Sequence, residues 1–376
     1  MSNRTVLVVG DYRQTLTIAR ALRRRGDRVV AGIAKPKASH IRHSRATDAH
    51  WLHPPVNDDD FAAALDWALA FHRPDIVFPV GDGEIRWFAH RAEDLDVPLA
   101  CVTEDVADAC QDKPRLLEMG AAVGVTFTDS EVVAGLDEME RAAAALGYPC
   151  IVKSNDPLQR VLGSKGIICR TPDDLRRQIA EWPPTHETLI VQAYLDGPRH
   201  NLYFAAERGE ILGLVEVEIL RTDRPDGTGY AVDGITRDPT PALYEQTASL
   251  VRELKYHGVG CTQFLVAGEE TSFLELNPRL GANFVVADAA GLDLAGFAVD
   301  LALDGEAAPP ATISTGLRYA WSLGEMEGLR TLAAAGEIGA REALAWVGRT
   351  ARTALAADVH VTWSWRDPVP TIALAW

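Results

Sequence analysis

The segment Phe273-Leu274-Glu275-Leu276-Asn277-Pro278-Arg279, read with Gln263 upstream of it, decides how this chain is understood. Cys261 to Ala267 and Thr271 to Asn277 both alternate as strands do, and Gly268-Glu269-Glu270 between them supplies a short hairpin turn. Pairing Ala267 with Thr271 in a constant register sets Gln263 directly opposite Glu275. Side chains alternate faces along a strand, so Asn277 joins these two while Phe264, Leu274 and Leu276 point to the other side. Amide and carboxylate oxygens over an apolar floor suit Mg²⁺ carrying nucleotide phosphates. Arg279, two residues beyond Asn277, is placed to neutralise a transferring phosphoryl group.

The rest of the chain is consistent with a soluble globular protein of two or three compact domains. It has 376 residues, 47% of them hydrophobic and 24% charged. No apolar run reaches the length of a membrane span. Met1 to Thr5 leads straight into Val6-Leu7-Val8-Val9 without a secretory signal, so cytoplasmic residence and no membrane partner are expected. Five widely spaced cysteines without a Cys-x-x-Cys pair argue for buried reduced thiols. A formal net charge of −16 speaks against a nucleic-acid partner but not against nucleotide binding, which needs only a few local cations. The basic cluster Arg20 to Arg25 reads as the exposed face and end of a first helix.

Over the first hundred residues, strand-like runs (Val6 to Val9, Arg28 to Ile33, Asp75 to Val80) alternate with helical patterns (Thr15 to Arg25, Phe61 to His72). This is the order of a parallel sheet covered by helices. Gly10-Asp11-Tyr12-Arg13 follows the first strand but lacks the later glycines that a dinucleotide pyrophosphate needs. Phe78 to Glu84 reads as a strand end and a loop at the carboxyl edge of the sheet. Glu84 there is either a group approaching a substrate amine or a helix-start carboxylate.

Further along, Cys150-Ile151-Val152-Lys153 delivers one lysine at the end of an apolar strand, where its ammonium must escape to solvent or meet a polyanion. Ser154 to Gly166, with Gly163-Ser164-Lys165-Gly166, is a loop able to close over phosphates. In Thr188 to Asn201, Gln192-Ala193-Tyr194-Leu195 would run along an adenine edge. Asp196 would accept from ribose hydroxyls, and His200 lies just beyond. Leu220 to Asp238 reads as a loop bordering a substrate, with Arg221, Arg224 and Arg237 as carboxylate-binding candidates. Asn283 past Arg279 is a further substrate candidate. Beyond the connector Ala307-Ala308-Pro309-Pro310, two short helices and a strand, Val359 to Trp365, form an appendage.

Taken in order, these elements resemble the ATP-grasp superfamily, with Gln263, Glu275 and Asn277 most similar to the synthetase domains of the carbamoyl phosphate synthetase large subunit. The resemblance implies a mixed α/β and α+β fold in three parts. These are a Rossmann-like N-terminal domain (1–106), a two-lobed ATP-grasp module (107–306, small lobe about 115–193) and a C-terminal appendage (307–376). It further implies that Lys113, after Asp112, and Lys153 bind nucleotide phosphate, and that the cofactors are ATP and Mg²⁺, with Mn²⁺ as the alternative ion. The family has Glu where Gln192 stands and a loop richer in glycine than that around Lys165. The implied activity is an ADP-forming carboxylate–amine ligase working through an acyl phosphate on a small amino-acid-like or peptide-like substrate, compatible with a homodimer. A non-catalytic ATP-binding sensor or scaffold is the alternative, and a nicotinamide oxidoreductase is opposed by the absent glycine fingerprint.

Overall fold

The computed structural model describes residues 4–35, 39–155, 159–164, 166–303, 309–310 and 312–374, so Lys165 and the Ala307-Ala308 part of the connector lie outside the described residues. Strands β1 (Thr5–Val9), β2 (Arg28–Ala34), β3 (Ala49–His53) and β4 (Ile76–Pro79) form a parallel sheet in the order β3-β2-β1-β4. Its strands are apolar on both faces because both are covered. Val6 and Val8 pack with Leu16 and Ile18 of helix Arg13–Arg25, while Leu7 and Val9 pack with Phe61 and Leu65 of helix Phe61–His72.

Two expectations change here. The arginine cluster is a solvent face only in part: Arg23 and Arg24 are exposed, Arg23 meeting Asp48 at 2.9 Å, whereas Arg25 meets Asp293 at 3.0 Å and Asp300 at 2.7 Å, and Arg20 meets Asp367 at 3.1 Å. These contacts staple the first helix to later parts of the chain. The stretch after β4 is also not a loop, because it turns within two residues into helix Asp82–Ala89. Gly81 permits that turn: a Cβ there would stand 2.4 Å from Glu84 Oε2 and 2.5 Å from the Tyr12 ring.

Strands β5 (Ser130–Val133), β6 (Cys150–Ser154), β7 (Ile167–Cys169) and β8 (Leu189–Ala193) make a small antiparallel sheet in the order β5-β8-β6-β7. Helix Leu136–Leu146 seals it through Met139, Ala142 and Ala143 against Val152, Leu189 and Val191. The expected thiols stay free: Cys150 and Cys169 are buried opposite one another, and the other three cysteines are unpaired too.

The large sheet holds β9 (Arg199–Glu207), β10 (Glu210–Thr222), β11 (Ala231–Arg237), β12 (Gly258–Ala267), β13 (Glu270–Asn277), β14 (Arg318–Ala320) and β15 (Val359–His360). Their order is β13-β12-β9-β10-β11-β14-β15. The supposed substrate loop is thus mostly strand, with only the residues between Thr222 and Ala231 connecting β10 to β11. The terminal strand is short, ending at His360. β9 turns into β10 through Arg208 and Gly209, both at positive φ (49° and 91°), the pair of conformations a tight hairpin requires.

The hairpin β12–β13 carries an instructive departure. Its turn is Gly268-Glu269, one residue shorter than expected, so Ala267 pairs with Glu270; yet Gln263 still pairs with Glu275, because the register shifts between Gln263 and Phe264. Leu274 is the extra residue of that bulge. The consequence is a swap: Phe273, not Leu274, joins Phe264 and Leu276 in the core, and Leu274 lines the cleft. Burying the aromatic ring is worth about 1.5–3 kcal/mol. Phe273 packs edge-on to Phe264 and Phe127 at 5.4 and 5.6 Å. Helix Pro241–Glu253 covers this face through Leu243, Leu250 and Val251. Among the described residues no helix is long and apolar enough to cross a membrane.

Candidate active site

Two cavities meet at the edge of the large sheet. The first, about 490 Å³, is a cleft between the small and large sheets lined by Lys113, Tyr194, Asp196, Gln263 and Glu275. The second, about 860 Å³, opens between the N-terminal sheet, the large sheet and the C-terminal segment, and Asn277, Arg279 and Asn283 line it. Arg199 and Gly229 border both.

At the junction stand the oxygen-bearing side chains of β12 and β13. Gln263 faces Glu275 across the hairpin, and Asn277 Nδ2 donates to Glu275 Oε1 at 2.8 Å, which leaves the Asn277 carbonyl oxygen as the atom it presents. Arg279 Nε donates to Asp82 Oδ1 at 2.7 Å, tying the end of the β12–β13 hairpin to the N-terminal helix Asp82–Ala89. Burial lowers the pKa of this guanidinium, but Asp82 and then Glu275 outweigh it, so Arg279 holds its proton more firmly than usual.

Opposite them lies a pair of cations. Lys153 leaves β6 toward Lys113, the first residue of helix Lys113–Ala122, whose N-terminus is capped by Asp112 accepting from Arg115 N at 3.1 Å. The two lysine side chains lie within hydrogen-bonding reach. Burial first, and then the neighbouring Lys113, push the Lys153 pKa down to about 6, with Glu275 opposing. Lys153 donates to Gln192 Oε1, and Gln192 Nε2 donates to the Thr128 carbonyl at 3.2 Å. A neutral amide cannot offset a second ammonium. The cleft therefore disfavours two ammonium groups together unless an anion joins them, which fits a polyanion carried on a cation at Gln263, Glu275 and Asn277.

The remaining predicted residues divide. The Ala193 and Tyr194 amides donate to Asp129 O at 2.9 Å and Pro149 O at 3.0 Å, and half-buried Leu195 follows β8 along the cleft. Asp196 pairs with Arg170 at 3.0 Å; both are more than half exposed, so the pair is weak and exchangeable. His200 does not join the cleft. It lies opposite Phe264 on the helix-covered face and meets buried Glu216 Oε1 at 2.6 Å. Burial raises the Glu216 pKa, but bonds from His200 and Thr240 overcome that and hold the carboxyl below its usual value.

Arg221 is already engaged by Glu325, and Arg237 by Glu218 at 2.8 Å, so both guanidinium groups are held by the fold. Glu84 accepts from Tyr12 Oη at 2.9 and 3.1 Å beneath Gly81. Burial, then Glu84, drives the Tyr12 pKa upward. Asn283 Nδ2 donates to the Ala231 carbonyl at 2.8 Å and to Tyr319 Oη at 3.1 Å on the wall of the second cavity.

Sequence reasoning missed Asp82, Arg13, Arg199 and Asn201. The last was within reach, since extending the hairpin register one strand further sets Asn201 opposite Gln263. Arg13 and Asp82 each stand just past a strand of the first sheet; Arg13 lines the second cavity, and Asp82 reaches it only through its bond to Arg279.

Comparison with known proteins places this geometry. The carbamoyl-phosphate synthase L chain, ATP binding domain, matches residues 112–307, more than half of the 376-residue chain. Among curated relatives, the arginine-specific carbamoyl phosphate synthase large chain of Geobacillus stearothermophilus is 25% identical over 217 residues, covering 56% of this chain and 20% of that one. The mitochondrial propionyl-CoA carboxylase alpha chain of Mus musculus is 27% identical over 309 residues, covering 77% and 42%. The chain thus spans well under half the length of these relatives. Among solved structures, an ADP complex of N5-carboxyaminoimidazole ribonucleotide synthetase shares the fold with a TM-score of 0.68 at 15% identity, covering 89% of this chain and 86% of that one. Biotin carboxylase of Campylobacter jejuni follows with 0.65 at 16%, covering 84% and 74%. With an ATP-grasp fold and a match running from Asp112 through the β12–β13 hairpin, the chain belongs to the carbamoyl-phosphate synthase L chain ATP-binding domain family.

Proposed function

We propose that this chain is an ATP-dependent, ADP-forming carboxylate–amine ligase that activates a small amino-acid-like or peptide-like carboxylate as an acyl phosphate. The observation that carries the reading is the convergence of Lys113 and Lys153 on the cleft that Gln263 and Glu275 line. In this reading residues 1–106 are a Rossmann-like domain that closes the substrate side, 107–306 the ATP-grasp module with its small lobe at about 115–193, and 307–376 an appendage. The protein works in the cytoplasm, and a homodimer fits the dimer in which the biotin carboxylase domain of Hydrogenobacter thermophilus 2-oxoglutarate carboxylase was solved with MgADP.

Gln263, Glu275 and Asn277 hold Mg²⁺, for which Mn²⁺ substitutes. A bound ion would neutralise phosphate charge. Lys113 and Lys153 take the nucleotide phosphates, and Lys165 adds a cation from its loop. The Gln192 amide, engaged with Lys153 and Thr128, positions that lysine, leaving the backbone from Ala193 to Leu195 to follow the adenine edge and Asp196 to meet the ribose. Arg279 stands where cleft and cavity join, oriented by Asp82, and stabilises charge on the phosphoryl group in flight. Glu84 and Asn283 shape the acceptor side. Arg221, Arg237 and His200 act through the fold alone.

Incubating the protein with ATP, Mg²⁺ and pooled amino acids and dipeptides, with mass detection of products, tests this reading. The expected result is ADP in step with a condensed product. ADP no faster than without acceptor, or AMP in its place, defeats it.

A further inference from the structure

Among the described residues, buried polar atoms on the wall of the second cavity that lack hydrogen-bond partners include the donors Arg13 Nε, Arg199 Nε and Trp321 Nε1, and the acceptors Asn201 Oδ1 and Asn283 Oδ1. Asn201 and Asn283 are each 5% exposed, and the bond from Asn283 Nδ2 to the Ala231 carbonyl fixes which way that amide faces. The Arg13 guanidinium lies 3.4 Å over the Trp321 ring and 5.7 Å from that of Tyr230. Burial pulls its pKa down to about 10. Among the described residues Arg13 makes no ion pair, and Arg199 reaches only the Gly229 carbonyl at 3.4 Å. Their neighbours differ: Arg318 is held in a two-pronged pair by Asp233 at 2.5 and 2.9 Å, and Arg221 by Glu325. Orphaned donors ask for an anion and orphaned acceptors for N–H groups, since a buried polar atom left unpaired costs stability.

We propose that the second cavity takes a peptide-like acceptor with a free carboxylate that does not react, and that Arg13, stacked on Trp321, selects for it. Arg279 follows β13, whereas Tyr230 and Trp321, which Arg13 contacts, adjoin β11 and β14, so the anchors of the two guanidinium groups stand apart along the strand order. β13 and β11 are four strand spacings apart, roughly 19 Å. With both arginines reaching inward, the gap suits a molecule of about dipeptide length, and Asn201 and Asn283 between them accept from its N–H groups. The volume, about 860 Å³, is that of a small-molecule site. Trp321 holds the planar guanidinium so that both its edges stay available to a carboxylate.

The identity of the reacting carboxyl rests on the ligase reading; the recognition by Arg13 does not. The test titrates Ala-Ala, Ala-Glu and Gly-Lys, and their C-terminal amides, into the full chain with ADP and Mg²⁺ present, by calorimetry and tryptophan fluorescence. At least one acid is expected to bind about tenfold or more tighter than its amide. Arg13→Gln removes that preference and Arg13→Lys retains part of it, with ADP affinity and melting temperature reporting that each variant is folded. Should Arg13→Gln not fold, Arg13→Lys with an undiminished preference overturns the proposal. Equal binding of acids and amides, no binding by any acid, or a preference that survives Arg13→Gln overturns it as well. Acid-selective, Arg13-dependent binding without ADP release defeats the ligase reading and leaves this one standing; ADP release with acids and amides alike does the reverse.

Discussion

The cleft at Lys113 and the second cavity both concentrate cationic side chains, but they hold them differently. In the cleft, Lys113 and Lys153 crowd each other, and the Lys153 pKa falls to about 6. In the cavity, Arg13 rests on the face of Trp321 and remains a cation. A lysine can shed its proton when no anion is present and regain it when one arrives; an arginine cannot. The cleft is therefore a site whose charge depends on its occupant, and the cavity one whose charge is fixed.

The largest effect should come from the acid at the junction. Glu275→Gln is expected to lower ADP formation by about a hundredfold or more, measured by a coupled assay, while nucleotide-free stability changes little. An activity loss below tenfold would move the metal centre elsewhere. Next, Lys153→Met should weaken ADP binding by about tenfold or more, since it removes a charge-assisted contact to phosphate. Its melting temperature in the absence of nucleotide at pH 6 should not fall, because the lost ammonium was disfavoured where it stood.

The same lysine sets a pH signature. Between about 6 and the ordinary 10.5, the unfolded chain holds a proton on Lys153 that the free folded protein has largely released, so this group makes stability rise with pH across that window. Nucleotide binding runs the other way: it restores the proton, so ADP affinity should fall as pH climbs from 6. Calorimetry at pH 8 in buffers of differing ionisation heat should record net proton uptake. Uptake of none would mean that the two lysines do not meet in solution. The smallest effect is expected from Asp82→Asn, which loosens Arg279 without removing it. A loss in kcat of about three- to tenfold with unchanged KM for ATP separates orientation from binding.

Much of this was legible in the chain. Helices Phe61–His72 and Leu136–Leu146 coincide with their apolar periodicity because each presents a single buried stripe to a sheet. Gln263 opposite Glu275 was legible too, although the turn was misread by one residue, since the bulge at Leu274 compensates for the error. Alternation alone cannot show which of two adjacent apolar residues enters the core; the aromatic contacts of Phe273 with Phe127 and Phe264 decide it. The misread arginines share one cause. Arg20 and Arg25 face carboxylates far along the chain, Arg221 and Arg237 face Glu325 and Glu218, and no local pattern announces such partners. His200 was placed by its neighbours in sequence, whereas its strand turns it to the opposite face, toward Glu216.

The bond from Arg279 to Asp82 joins the end of the β12–β13 hairpin to a helix nearly two hundred positions earlier in the chain. In the proposed reading, grip on the nucleotide draws on residues from Lys113 onward and is in principle portable to another protein. The aim of the arginine is not, because it is borrowed from the first sheet. A graft of the clamp alone would inherit the appetite for ATP without the means to direct it, so any exchange of modules in this architecture must carry the Asp82 helix along with the hairpin.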